Sequence, residues 1–184
     1  MIPILYDKTG NTKITNLTDC IQCIVTEERN GMFEAELVYS VHSSNSDKLI
    51  RGNIIVADAN DTLKGQKFRI YKISKPINGR IKILARHISF DMARDVVTGL
   101  VIDNQSCEYA LNKLFSSSQF SQHFIGHSDI VNSQSTVING TTHILKAIVG
   151  VEGSIIDTFG TSPEILRDNY DFYIYENRGH DNGV

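Results

Sequence analysis

Residues 66–92, QKFRIYKISKPINGRIKILARHISFDM, constrain the fold of this chain more than any other stretch. Apolar and basic residues alternate in both halves, with Phe68 and Ile70 on either side of Arg69, and Ile81 and Ile83 on either side of Lys82. A period of two is typical of a strand that buries one face and exposes the other. The pattern predicts two half-buried strands in succession.

The segment between these strands, KPING at residues 75–79, has the composition of a turn. Pro76 fixes its own φ and has no N–H to donate to a ladder. Asn78 and Gly79 tolerate the positive φ that a tight hairpin turn requires. We therefore predict a β-hairpin here.

The rest of the first 90 residues follows the same plan. A short hairpin is expected within residues 2–14, a strand within 17–25, an Asn30-Gly31 turn leading into alternation over 33–39, and a buried strand over 50–57. About six strands with regular turn signals are typical of a barrel or sandwich. The expected fold class is mixed α+β, mainly β, with a barrel-like antiparallel domain over residues 1–97.

The pattern changes after His87, and residues 89–97 are expected to form a short helical or irregular turn. A helix is predicted over residues 105–116, because Ser106 is a suitable N-cap and Glu108 favours the first turn. A strand is expected within 119–130, a short helix within 142–149 and an aromatic strand near the end. We expect residues 98–165 to form a small α/β insertion, and residues 166–184 to return as a strand to the first domain.

Composition excludes several classes of function. With 41% hydrophobic and 21% charged residues the chain is ordinary for a soluble globular protein. It contains no run of apolar residues that would span a membrane and no secretory signal at its start, so folding in a cytoplasm is expected. The net charge is −3 with the two signs mixed along the chain, and no Lys/Arg cluster predicts specific nucleic-acid binding.

The cysteines offer one candidate for metal or redox chemistry. Cys20 and Cys23 form a C-x-x-C, which is compatible with half a zinc site or a redox pair. Cys107 stands alone, no second C-x-x-C follows, and the motif lies in an Ile/Val-rich segment. We interpret all three as small apolar side chains in a reducing environment.

Three further groups imitate catalytic or metal sites. His87, Ser89 and Asp91 are close in sequence, but a triad requires its nucleophile within hydrogen-bond reach of the base. The favoured interpretation is a capped turn in which His87 and Asp91 bond to backbone. His123 and His127 have the i, i+4 spacing of a zinc site without the accompanying Glu, which favours surface histidines.

Glu34 and Glu36 imitate the carboxylate pair of a glycosidase, but a hairpin with one wet face explains their spacing. No glycine-rich phosphate-binding motif is present in the sequence. We therefore predict no catalytic residues, no cofactor and no metal site in this chain.

Three stretches together resemble a known family. They are residues 27–37 (EERNGMFEAEL), residues 66–92, and residues 168–184 (DNYDFYIYENRGHDNGV). In this order they resemble the N-terminal region of siphophage and prophage tail proteins, called minor structural protein, tail-associated lysin or prophage endopeptidase tail protein. That region is similar to the hub proteins of phage baseplates.

The resemblance implies a structural role. The implied protein joins the tail tube or distal tail ring to the tail tip and forms or closes the DNA exit channel, as a homotrimer that contacts the tube or distal tail protein and the tape measure. It would be assembled in the bacterial cytoplasm and located at the virion tail tip. The family's lytic domains lie C-terminal to this region, so we expect no enzyme here, and a second barrel is expected beyond residue 184.

Two alternatives remain open from the sequence. A cell-wall (peptidoglycan) hydrolase would use His87, Asp91 or the histidines at 123 and 127 in a polar pocket. A carbohydrate- or receptor-binding module is disfavoured because the 8% aromatic residues include no Trp.

Overall fold

A computed structural model describes residues 1–121, 123–150, 152–160 and 163–176. The chain divides into two compact units, Met1–Ile88 and Ser89–Val184. The predicted boundary between residues 97 and 98 instead falls inside a strand of the second unit. The Arg178 to Gly183 part of the family-like ending lies outside the described residues.

The first unit is one antiparallel sheet of seven strands in the order β2-β1-β5-β6-β7-β4-β3. The prediction of a mainly β fold is confirmed. The strands are β1 (Ile4–Tyr6), β2 (Lys13–Asn16), β3 (Cys20–Glu27), β4 (Phe33–Ser40), β5 (Ile54–Ala57), β6 (Gln66–Ile73) and β7 (Arg80–His87). A single 3₁₀ turn, Ser46–Lys48, is the other regular element before the end of β7.

This sheet is strongly curled, because its two edge strands are adjacent in sequence. Only residues 17–19 connect β2 to β3. Four Cα–Cα steps span at most about 15 Å, whereas six strand gaps in a flat sheet would span about 29 Å. No ladder joins β2 to β3, so the predicted barrel is wrong in its closure: the strands form an open, curled sheet.

The predicted hairpin of residues 66–92 is confirmed as β6 and β7, which pair from Phe68 opposite His87 to Ile73 opposite Ile83. Asn78 and Gly79 both have positive φ, 50° and 71°. The backbone groups of Ile77 and Arg80 exchange hydrogen bonds of 2.9 and 3.0 Å across them. Asn-Gly is favoured at such a turn because both residues tolerate this conformation.

The second unit contains two smaller sheets and three α-helices, and a 3₁₀ helix, Ile88–Arg94, begins at the last residue of the first unit. Its elements are β8 (Val96–Gln105), α1 (Cys107–Ser116), β9 (Ile125–Ser128), β10 (Gln134–His143), α2 (Ile144–Ile148), α3 (Ile155–Phe159), β11 (Glu164–Asp168) and β12 (Asp171–Tyr175). Strands β8 and β10 pair antiparallel, and β11, β12 and β9 form a mixed sheet. In the part of the chain that the structure describes, no helix is long and apolar enough to cross a bilayer.

The late aromatic strand is present as β12, but the prediction that it rejoins the first sheet is wrong. It pairs antiparallel with β11 from Ile165 opposite Ile174 and parallel with β9, where Tyr173 lies opposite His127. Because β9 and β11 occupy both of its edges, no edge of β12 remains for the seven-stranded sheet.

Helix α1 and strand β9 pack closely around Gly126. Ser106 caps the helix as predicted, its Oγ accepting the Tyr109 N–H at 3.2 Å. The Asn112 side-chain amide donates to the Gly126 carbonyl at 2.8 Å and accepts the Gly126 N–H at 3.0 Å. A Cβ at Gly126 would lie 2.5 Å from the Leu111 Cβ, so only glycine fits between helix and strand.

A buried carboxylate organises the second unit, and nothing in the sequence pattern indicates it. Asp95 is 2% exposed and accepts the backbone N–H groups of Val96 at 2.8 Å, Gln119 at 3.2 Å, Phe120 at 2.9 Å and Ser121 at 2.6 Å. Burial by itself would raise the pKa of Asp95, but these hydrogen bonds outweigh burial and hold the pKa below its usual value. The charged form therefore fastens the loop after α1 to the start of β8.

We predict that Asp95→Asn destabilises the protein in a pH-dependent way. A carboxyl whose pKa is lowered by folding stabilises above its unfolded pKa of about 3.9, and this stability is lost as pH falls through the folded value. At neutral pH the variant should lose about 1–3 kcal/mol of unfolding free energy. Urea unfolding across pH should show this difference shrinking in acid.

The matched control is Asp61→Asn, on an exposed loop side chain, which should leave stability nearly unchanged. A difference between Asp95→Asn and the wild type that is constant from neutral to acid pH would contradict the assigned role of the carboxylate.

Candidate interaction surfaces

His87, the first catalytic candidate, is a core residue of the first unit. Its ring stacks on Phe33 with centroids 4.4 Å apart, and Phe68 meets it edge-on at 5.6 Å. Its Nε2 lies 3.1 Å from the Oε1 of buried Gln66. The side-chain amide of the first residue of β6 is thus one partner of this ring, and packing accounts for this histidine.

His123 and His127 do not share a helix face. His123 lies before β9, with its ring 4.8 Å from the rings of Phe124 and Tyr170. His127 lies in β9, where its Nε2 is 2.8 Å from Asp171 Oδ1. Ser128 points to the other face of the strand and donates to the Ile174 carbonyl at 2.8 Å, so it does not complete a triad.

Cys20 and Cys23 lie at the edge strand β3, opposite Tyr39 and Leu37. Burial, with the neighbouring Cys20 thiol adding to it, raises the pKa of Cys23 to about 11. Burial also raises the pKa of Cys20. Since the thiolate is the nucleophile and the metal ligand, neither thiol is activated at neutral pH. Among the described residues no three His, Cys, Asp or Glu side chains are placed to hold a metal ion.

We predict that Cys23 is alkylated slowly by iodoacetamide in the native protein. A thiol of pKa about 11 is roughly 300-fold less ionised at neutral pH than an ordinary cysteine of pKa about 8.5. Glutathione added to the same sample serves as the reference thiol. Mass spectrometry after timed labelling should find Cys23 unmodified when the glutathione has fully reacted, and unfolding the protein in urea should make Cys23 reactive. Labelling in the native state at the rate of glutathione would contradict the assigned environment.

Glu34 and Glu36 share the outward face of β4, as predicted, and both are engaged by cations of β7. Glu34 Oε1 lies 2.8 Å from Arg86 Nε, and Glu36 Oε2 lies 2.7 Å from Lys82 Nζ. The Tyr71 hydroxyl also donates to Glu34 at 3.2 Å. Paired across strands in this way, the carboxylates do not flank a cleft as a glycosidase pair must.

The outward face of the β6–β7 hairpin carries six cations, which we call the basic stripe: Lys67, Arg69, Lys72, Arg80, Lys82 and Arg86. Glu36 and Glu34 neutralise Lys82 and Arg86. Lys72 and Arg80 are exposed, and no ion pair holds either of them within the described residues. The stripe therefore presents uncompensated positive charge.

The mixed sheet of the second unit presents a second surface, which we call the aromatic strip: His127, Asp171, Tyr173 and Tyr175. His127 stacks on Tyr173 with centroids 4.5 Å apart, and Tyr173 and Tyr175 are within 8° of parallel at 5.7 Å. The alternate residues Phe172 and Ile174 are fully buried. The strip is thus the half-exposed face of a sheet whose other face is core.

Negative charge surrounds the aromatic strip. The pKa of Tyr173 is raised mainly by desolvation and, to a smaller extent, by the nearby charges of Asp171 and Asp168. The hydroxyls of Tyr173 and Tyr175 make no hydrogen bond within the described residues, so they remain available as acceptors. Carboxylates and phenol oxygens together suit a cationic partner.

The two units carry opposite charge, which the net value of −3 conceals. Residues 1–88 contain 13 Lys and Arg against 9 Asp and Glu, a formal charge of +4, whereas residues 89–184 contain 5 against 12, a formal charge of −7. The description of the signs as mixed along the chain is therefore wrong at the level of units. Counting charge by segment would have found this signal in the sequence.

Comparison with known proteins identifies the fold. The prophage tail protein gp18 from Listeria monocytogenes EGD-e matches 95% of this chain with a TM-score of 0.72 at 17% sequence identity. The chain shares the fold of this protein. The tail protein from Neisseria meningitidis MC58 likewise matches 95% of it, with a TM-score of 0.56 at 10% identity.

The chain spans 50% of the length of each of these two tail proteins. No protein-family model matches the sequence, and no curated protein is significantly similar to it. The relationship to tail proteins is therefore one of fold.

Proposed function

We propose that this chain is a structural component of a phage or prophage tail. The observation that carries the proposal is the shared fold over 95% of the chain with a prophage tail protein, at a TM-score of 0.72. A fold by itself hosts many functions. Here, however, both named neighbours are tail proteins, and the same inference follows from the three family-like stretches of the sequence.

Within the tail we propose a position at the tip. The chain would join the tail tube or distal tail ring to the tip as a homotrimer around the DNA exit channel, in contact with the tape measure, after assembly in the bacterial cytoplasm. The resemblance of residues 27–37, 66–92 and 168–184 to hub-like tail proteins supports this position.

A structural role also fits the chemistry of the side chains better than hydrolysis does. His87 is packed between aromatic rings, Glu34 and Glu36 are paired with cations, and burial keeps Cys23 protonated. Each has a packing or pairing role that accounts for its position. We therefore propose that this part of the protein supports assembly rather than cell-wall cleavage.

The location can be tested by electron microscopy. Gold-labelled antibodies raised against this chain should bind particles of the encoding phage at the end of the tail opposite the head. Preimmune serum is the control. Label distributed along the tail tube would contradict the tip position, and particles that contain none of the protein would contradict the tail function.

The oligomeric state can be tested by light scattering on the natural polypeptide in which this sequence occurs. We expect a solution mass three times the mass of one such polypeptide, because the proposed ring around the channel contains three copies. A monomer that also clears a suspension of purified cell walls would favour the hydrolase alternative instead.

A further inference from the structure

We propose that the basic stripe of one copy binds the aromatic strip of a second copy. The inference rests on the proposed assembly of the chain with itself, but not on its place in the tail. Two surfaces of the same polypeptide suggest this contact. The first unit has a positively charged sheet face, and the second unit has a negatively charged, aromatic sheet face.

At the turn end of the hairpin, the positive surface has no ion-pair partner within the described residues. Two of its six cations are paired with the glutamates of β4. Arg69 donates to the backbone carbonyls of Lys8 and Gly52, each at 2.8 Å. Lys72 and Arg80 extend from exposed positions at the turn end of the hairpin. These two are the donors that a second copy would engage.

The negative surface offers matching acceptors on a rigid base. Asp171 Oδ1 is 2.8 Å from His127 Nε2, with 42% of the Asp171 side chain exposed, so its outer oxygen can accept from a Lys or Arg. The stacked rings of Tyr173 and Tyr175 are held by a strand paired on both edges. Rigid aromatic side chains together with Arg are the groups that most often dominate binding energy at protein interfaces.

The charge of each unit selects a second copy as the partner. A unit of +4 and a unit of −7 attract across copies when first unit meets second unit, and repel when like meets like. Complementary potentials accelerate encounter and disfavour wrong orientations. The contact joins different surfaces of the two copies. Formed once per pair of copies it builds a ring or a filament, whereas formed twice and reciprocally it closes a twofold dimer.

The test uses two charge-reversed forms of the natural polypeptide that contains this chain. The stripe variant carries Lys72→Glu and Arg80→Glu, and the strip variant carries Asp171→Lys. Each alone places like charges opposite one another, so self-association measured by sedimentation velocity should weaken about tenfold or more. An equimolar mixture should associate again through contacts between unlike variants, because there each stripe meets a strip of opposite charge; complexes with an even number of copies are expected, since a ring of three retains one contact between like variants.

Matched controls are Lys13→Glu, at an exposed position of β2, and Asp61→Lys, on an exposed loop. Both change the charge at sites outside the two surfaces and should associate like the wild type. Raising salt from about 50 to about 500 mM should weaken the wild-type complex, since exposed charges are screened. Circular dichroism establishes that each variant is folded. Recovery of association in the mixture is a second check, because only folded variants can associate again.

The proposal is overturned by any of three results: a wild type that stays monomeric in low salt, variants that associate as well as the wild type, or a mixture that fails to recover. These outcomes are separate from failure of the tail assignment. Gold label at the tail with unaltered assembly of the variants would leave the proposed function standing and remove only this interface.

Discussion

The first unit depends on one constraint: a sheet with one mainly apolar face and no α-helix of the same unit to cover it. The inward residues of β4 and β7, including Phe33, Leu37 and Ile83, are completely buried, and a short 3₁₀ turn is the only helical element among the fully described residues 1–87. Such a face is removed from water only if the sheet curls onto itself. The three-residue connection between the edge strands enforces that curl.

The curl determines where charge can lie. Once the inner face is filled by apolar side chains and the paired His87 and Gln66, every alternate residue of the central strands is directed outward. Alternation along β6 and β7 therefore converts a basic sequence pattern into a basic surface. The same logic holds in the second unit, where burial of Phe172 and Ile174 directs Tyr173 and Tyr175 outward.

Features determined by local chemistry were predictable, and features determined by distant pairing were not. The Asn30-Gly31 and Asn78-Gly79 hairpins and the Ser106 cap are encoded within a few residues, and all three are present. Strands β8 and β10 were missed, because each contains glycine and polar residues and pairs with a partner 29 to 47 positions away. The aromatic sequence of β12 predicts a strand but does not indicate which sheet the strand joins. Strand β5 covers only the second half of the strand predicted over residues 50–57.

The candidate surfaces were only partly visible from sequence. The basic face of the hairpin follows from its alternation, and the aromatic strand was recognised, but the carboxylate that pairs with His127 comes from another strand of a mixed sheet. The register of β9 beside β12 is determined by tertiary structure and is not encoded in the local sequence of either strand. The charge of each unit, in contrast, needed only an approximate boundary, because moving it by a few residues changes the count by one or two.

The uncompensated cations of the central strands are better explained by assembly than by folding. Exposed ion pairs add little to stability, and like charges on neighbouring strands oppose folding. Lys72 and Arg80 therefore do not serve the fold of the isolated unit, whereas Lys82 and Arg86 are already compensated by β4. When the proposed contact between unlike units forms once per pair of copies, the copies close into a ring if the rotation between them permits. A closed ring with a central opening is the geometry that the proposed position at the tail tip requires.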